Sequence, residues 1–245
     1  MKKITSISND YIKGLVRLHE KRFRDQEQRF IIEGYHLISE AKDLLETILI
    51  TDEKDEISGV ENILVTNEII NKVSFTKTPQ QIIGICRYFP QYELSGERFL
   101  LLDHLQDPGN VGTLVRSALG FNIDTIVLSE DSVDLYNDKF IRATQGALFK
   151  TKVVINSLET VIKELKKRKV KIIGTSLETN HSLEEIIGEK KYAIILGNEA
   201  NGVNPKILEM TDINIKIEIN STLESLNVGV AGGIIMHYLT LKQGK

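Results

Sequence analysis

Residues 99–120 read FLLLDHLQDPGNVGTLVRSALG: an apolar run, a Pro-Gly break and an amphipathic stretch, in that order. Residues 99–103 are apolar up to Asp103, the pattern of a short strand buried on both faces. Pro108 and Gly109 interrupt it, and Asn110 reads as the N-cap of a helix running to about Leu119. Val111, Leu114, Val115 and Ala118 supply the apolar stripe of that helix. The same alternation continues downstream, where strands are expected over 125–129, 152–155, 171–175, 192–197 and 213–219, separated by amphipathic segments. Strands alternating with helices imply a largely parallel sheet covered on both faces, with chemistry gathered at the carboxyl edge of the strands.

Upstream of this run the pattern predicts a smaller α/β unit. A helix is expected over 11–23, a strand over 29–33 and a helix over 35–45, followed by strands over 47–51 and 62–66, a short helix and an apolar run at 82–86. Residues 88–97 (YFPQYELSGE) mix Pro, Gly, Ser and charge without periodicity, which is the composition of a linker. The expected organisation is a domain over 1–90, a linker over 91–97 and a domain over 98–245.

With 41% hydrophobic residues in 245, the chain can bury a core, and disorder is excluded. Charged residues make up 27% and nearly cancel to a net charge of -3, so any nucleic-acid contact must come from a local patch. A single cysteine, Cys86, excludes an intrachain disulfide, and neither CxxC nor HExxH is present to hold a metal. A reducing, cytoplasmic setting without membrane insertion follows, because no apolar run approaches the ~20 residues of a span. The basic run at 163–171 (KELKKRKVK) reads as a solvated helix face, and His19, His36, His104, His181 and His237 are scattered and receive no role.

Three clusters carry the chemistry. In the first, Arg116 reads either as a surface arginine or as a bidentate fork for a phosphate. The second, residues 195–205 (ILGNEANGVNP), follows an apolar strand. Gly197 and Gly202 permit a tight loop, Asn204 caps a helix opened by Pro205, and Glu199 is left for another purpose. It contains neither GxGxxG nor GxxxxGK[ST], which removes a nucleotide-dependent oxidoreductase and a Walker-type phosphate loop. The third is residues 217–239 (IEINSTLESLNVGVAGGIIMHYL), where Ser225 reads as an N-cap and Asn227 as a residue that bonds backbone or ligand. Gly229, Ala231, Gly232 and Gly233 follow. Each glycine weakens a helix by up to ~1 kcal/mol, so this face is expected to meet another backbone closely, as across a dimer.

In order and placement these clusters resemble the three motifs of the SpoU (TrmH-type) RNA ribose methyltransferases of the SPOUT superfamily. Asp107-Pro108-Gly109-Asn110-Val111-Gly112 with Arg116-Ser117-Ala118 is similar to the first motif, Gly197-Asn198-Glu199 through Gly202 to the second, and Glu224-Ser225-Leu226-Asn227-Val228 with Val230-Ala231 to the third. The first ninety residues resemble the L30e-like substrate-binding domain often fused upstream, through Phe30-Ile31-Ile32-Glu33-Gly34 and Thr76-Lys77-Thr78-Pro79. The resemblance implies an α/β fold with a trefoil-knotted parallel-sheet methyltransferase domain after a small α/β domain. It also implies a homodimer, S-adenosylmethionine as methyl donor, and transfer to a ribose 2′-hydroxyl of structured RNA, ribosomal in preference to transfer RNA.

By matching positions, Thr175, Leu196, Gly197, Ile217 and Leu226 would meet the donor, and Asn110, Arg116, Glu199, Ser225 and Asn227 would surround the reacting ribose. Lys13, Arg17, Lys21, Arg22 and Arg24 form a basic excess that would hold RNA. Glu218, Ile219 and Ser221 depart from the Pro, Met and Gly usual in the third motif, which bears on the shape of the donor pocket. Alternatives are a tRNA methyltransferase and a non-catalytic RNA-binding dimer on the same fold. No metal is expected.

Overall fold

The computed structural model describes residues 1–240. They form two compact units, Met1–Pro90 together with Leu135–Phe149, and Gln91–Asp134 together with the chain from Lys150 onward. The stretch 135–149, which sequence reasoning assigned to the second half, therefore groups with the first.

The first unit runs β1 (Lys2–Ile4), α1 (Asp10–Arg17), α2 (Lys21–Glu27), β2 (Arg29–Glu33), α3 (Tyr35–Glu40), β3 (Leu45–Ile50), β4 (Glu61–Val65), α4 (Asn67–Val73) and β5 (Ile82–Arg87). Its sheet has the order β1-β4-β3-β5-β2, parallel from β1 to β3 and antiparallel from β3 to β2. Ile12, Leu15, Ile31, Leu49, Ile63 and Ile69 share one core beneath it. The helix expected over 11–23 is two helices, broken at residues 18–20. The second starts a new helical phase, and that turns Arg24 inward: it is 4% exposed, and its Nη1 donates to the carbonyls of Leu18 at 2.9 Å and His19 at 2.8 Å. Glu33 ties down the 74–80 loop, accepting from Thr76 Oγ1 at 2.7 Å and the Gln80 amide at 3.1 Å. From the returning stretch, α6 (Asp138–Ala143) and its flanks complete an aromatic cluster. Tyr136 stacks on Tyr88 with ring centroids 3.5 Å apart and lies 5.1 Å from the buried Phe30.

The second unit comprises β6 (Arg98–Asp103), α5 (Pro108–Gly120), β7 (Thr125–Leu128), β8 (Lys152–Ile155), α7 (Leu158–Lys167), β9 (Lys171–Thr175), β10 (Tyr192–Gly197), α8 (Pro205–Leu208), β11 (Ile213–Ile215) and α9 (Val228–Thr240). Its six strands pair in the order β11-β9-β10-β6-β7-β8, and every pairing is parallel. This is the sheet that the apolar runs implied, with β11 ending at Ile215 instead of 219 because the chain leaves the ladder there. Burial is complete for Phe99, Leu101, Val127, Ala193 and Ile195 on the central strands. The former linker is tied in place: Asp124 Oδ2 accepts from the amides of Glu97 and Arg98 at 2.8 and 2.9 Å, and Arg168 donates to the carbonyls of Leu94 and Gly96. Among the described residues no helix is long and apolar enough to cross a membrane, and no group of His, Cys, Asp and Glu side chains is placed to hold a metal ion.

Candidate active site

Three loops meet at the carboxyl edge of the parallel sheet, and the caps of two helices decide how they meet. Asp107, not Asn110, caps α5: Pro108 occupies the first helical position, and the Asp107 carboxylate accepts from the Asn110 amide at 2.7 Å. The Asn110 side chain is thereby free for other partners. At α9 the cap is Asn227, not Ser225, with Oδ1 accepting from the amides of Gly229 at 2.9 Å and Val230 at 3.3 Å. Ser225 is exposed and makes no hydrogen bond among the described residues.

These caps produce a relay. Asn110 Nδ2 donates to Glu199 Oε1 at 3.0 Å, and Asn110 Oδ1 accepts from Asn227 Nδ2 at 2.8 Å. Since an amide has one donor end and one acceptor end, each bond fixes the direction of the next. A carboxylate from the second cluster, an amide from the first and an amide from the third thus end on the positive N-terminus of α9. Residues 110, 199 and 227, separated by up to 117 positions in the chain, are brought into one network.

Beside the relay lies a cleft of about 700 Å³. Its walls include Thr175, Leu196, Gly197, Ile217 and Leu226, all five residues singled out for the donor. Glu199, Ser225 and Asn227 also line it, whereas Asn110 and Arg116 stand outside the lining. Thr175 spends its hydroxyl on the Ile195 carbonyl at 2.9 Å, so it contributes surface and not a free donor. Gly197 ends β10 where any Cβ would run into the backbone of Gly202 and Val203, and Gly202 turns the loop in the left-handed region at φ +70°. Of the motif departures, Ile219 lines the cleft while Glu218 and Ser221 do not. Sequence reasoning missed Glu178 and Lys216, charged residues of the lining that sit in polar connecting segments without a motif of their own, and gave Glu224 of the third motif no role.

Arg116 lies on the exposed side of α5 and makes no hydrogen bond or ion pair among the described residues. Two of the small residues of α9, Gly229 and Gly232, are explained by packing within the chain. A Cβ on Gly232 would strike the side chains of Leu114 and, at 2.7 Å, Leu196, and one on Gly229 would lie 3.2 Å from Thr113. The close approach expected of that face is therefore satisfied within the chain.

The basic residues of the first unit separate into two kinds. Lys13 pairs with Asp10 at 3.0 Å and Lys21 with Asp25 at 2.7 Å, both at the surface, and the hydrogen bond from Lys21 holds the Asp25 carboxyl below its usual range. The guanidinium carbons of Arg17 and Arg22 lie 5.6 and 5.8 Å from the centroid of the Phe23 ring. These four are exposed, whereas Arg24, buried under its own helix, is a structural residue and not an RNA contact.

An all-parallel sheet with a cleft and a polar relay at its carboxyl edge is the arrangement of an α/β enzyme that binds its ligands there. Residues 97–237 match the model of the SpoU rRNA Methylase family, and residues 9–84 that of the MRM3-like substrate binding domain. The chain belongs to the SpoU rRNA methylase family. It is 37% identical to the 23S rRNA (guanosine(2553)-2′-O)-methyltransferase RlmP of Bacillus subtilis, over 98% of this chain and 99% of that one. Among solved structures, a putative RNA methyltransferase of the TrmH family from Porphyromonas gingivalis matches with a TM-score of 0.86 at 26% identity, over 96% and 98% of the two chains. The AdoMet-bound rRNA methyltransferase from Sinorhizobium meliloti shares the fold with a TM-score of 0.88 at 24% identity, over 97% of each chain.

Proposed function

We infer that this chain methylates a ribose 2′-hydroxyl of RNA with S-adenosylmethionine as donor, and that its substrate is 23S ribosomal RNA. The observation that carries this reading is the Glu199–Asn110–Asn227 relay set at the mouth of a cleft walled by the five donor-site residues. The name of the Bacillus subtilis relative supports the choice of ribosomal over transfer RNA. The cleft fits the donor: it is large enough, it is apolar along Leu196, Ile217 and Leu226, and at Gly197 only a hydrogen leaves room for the backbone that closes the loop.

When bound, the donor supplies a methyl group on a sulfonium, open to direct displacement. The protein's task is to hold the attacking oxygen in line at about 3 to 3.5 Å, an alignment worth roughly 7 to 11 kcal/mol of the barrier. Arg116, with no partner among the described residues, is available to grip the adjoining phosphate and to stabilise the alkoxide as it forms. A guanidinium keeps its proton at neutral pH and is a poor base, so the hydroxyl proton leaves to solvent. Glu199 keeps Asn110 oriented, and Asn110 with Asn227 presents fixed dipoles to the ribose.

Residues 1–90 are the RNA-holding domain of this reading, through Lys13, Arg17, Lys21 and Arg22, with residues 98–245 as the methyltransferase domain, although the stretch 135–149 groups with the first unit. The trefoil knot implied by the family resemblance and a cytoplasmic site of action belong to the same reading. So does a homodimer, supported by the exposed apolar residues Leu119 on α5 and Val230 and Ile234 on α9. Arg116→Ala tests the mechanism: donor affinity in calorimetry stays at the wild-type value while methyl transfer falls at least a hundredfold. Unchanged turnover would remove Arg116 from the reaction.

A further inference from the structure

Asp103 is a carboxylate with 2% of its surface exposed, at the end of a strand that is otherwise apolar. Burying a charge is costly unless its oxygens are matched, and here both are. Oδ1 accepts from His104 Nδ1 at 2.6 Å, and Oδ2 accepts from the Asn204 amide at 2.7 Å. His104 follows in the left-handed region at φ +55°, a conformation that costs a side-chain-bearing residue roughly 1–2 kcal/mol. In that conformation its carbonyl accepts from Asn198 Nδ2 at 2.9 Å, and its amide donates to Ser129 Oγ at 2.9 Å.

Asn198 and Asn204 are the two ends of the loop that carries Glu199. One end is held by the backbone of His104 and the other by the side chain of Asp103. Within the loop, Asn198 Oδ1 accepts from the amides of Ala200 and Asn201, so the pinned end also sets the turn around Glu199. Four residues after Asp103 comes Asp107, whose cap sets where α5 begins and hence where Asn110 stands. Asp103 and His104 therefore hold the Glu199 side of the 3.0 Å contact between Asn110 and Glu199, and the Asp107 cap holds the other.

We propose that Asp103 and His104 are positioning residues for methyl transfer: the buried carboxylate and the imidazole it holds keep the Glu199 loop at the distance from Asn110 that the relay requires. This rests on the methyltransferase reading above. Neither residue lines the donor cleft, and the carbonyl and carboxylate that pin the cleft-wall loop both remain when only the ring is lost, so the ring is expected to act on the relay and not on donor binding. The imidazole locks the left-handed turn by bonding Asp103 with one nitrogen, while its other nitrogen lies 3.5 Å from Asp131 Oδ2.

The test uses the full chain, labelled S-adenosylmethionine and in vitro transcribed 23S rRNA. His104→Gly keeps the left-handed backbone without strain and removes the ring, so it folds even where Asp103→Asn does not; His104→Gln restores an N–H for Asp103. The proposal expects His104→Gly to lower kcat tenfold or more, with the KM for RNA and the donor affinity within twofold of wild type, and His104→Gln to recover most of the loss. Asp103→Asn, if folded, shows the same split. Full activity in His104→Gly, a parallel loss of donor affinity, or no recovery in His104→Gln would overturn the positioning role. Absence of transfer by the wild-type chain would instead overturn the methyltransferase reading.

Discussion

The second loop contains two glycines that are required for different reasons, and exchanging each for alanine separates space from conformation. At Gly197 a methyl group would coincide with the backbone of Gly202 and Val203. That backbone cannot retreat easily, since the Asn204 amide is held by Asp103 at 2.7 Å and Asn198 by the His104 carbonyl at 2.9 Å. Overpacking of this kind costs about 1–3 kcal/mol, and the strain falls on the loop that forms one wall of the donor cleft. Taken wholly from donor binding, this is a loss of about 5- to 150-fold. At Gly202 nothing lies within 4 Å of the added methyl, but φ is +70°, so Gly202→Ala costs roughly 1–2 kcal/mol through backbone strain alone. Asparagine enters that region more readily, and Gly202→Asn should recover part of the loss, whereas Gly197→Asn should be worse than Gly197→Ala. Calorimetric titration with S-adenosylmethionine, paired with thermal melting, measures both. A folded Gly197→Ala protein that binds the donor within twofold of wild type would refute the close approach as a determinant of the site.

Four further outcomes follow from the placement of particular residues. Arg24→Ala should lower stability by about 1–3 kcal/mol, because it strips the Leu18 and His19 carbonyls of a buried donor, and it should leave the salt dependence of RNA binding unchanged. Lys21→Ala with Arg22→Ala should do the opposite, reducing the salt slope by about one per lost phosphate contact with an unaltered melting temperature; reversed behaviour of the two variants would mean the burial is misread. Asn227→Ala removes a cap worth about 0.5–2 kcal/mol and also frees the Asn110 amide to turn, so turnover should fall further than melting temperature predicts; a proportionate loss would reduce Asn227 to a cap. Burial pushes the Cys86 thiol far above its ordinary range, so the native protein should resist alkylation at pH 8 and react only on unfolding, a result that rapid native labelling would contradict.

Much of this architecture was legible because the parallel sheet is buried on both faces, and such strands appear as uninterrupted apolar runs. Residues 99–103 and 192–197 read correctly for that reason. The glycine and asparagine clusters were legible as sites because their residues had local jobs left unfilled, Glu199 above all. What failed was the choice between adjacent capping candidates: Asp107 displaced Asn110 once Pro108 took the first helical position, and Asn227 displaced Ser225 because α9 begins at Val228. The burial of Arg24 was hidden by a three-residue break that reset the helical phase, a change of angle with no composition signal. Tyr136 joined the first unit through contacts with Phe30 and Tyr88 that depend on tertiary placement, not on any period in the chain. Asp103 passed as the end of a strand, and its two partners, 1 and 101 positions away, became visible only in three dimensions.

The central claim is that the three loops form one crevice in which a methyl group passes to a ribose. Incubating the protein with 23S rRNA and S-adenosylmethionine labelled on the methyl, then mapping alkali-resistant linkages, tests it most directly. The account predicts label at a 2′-oxygen of a single nucleotide, lost in Arg116→Ala. Label on a base, or none on RNA despite tight donor binding, would contradict it.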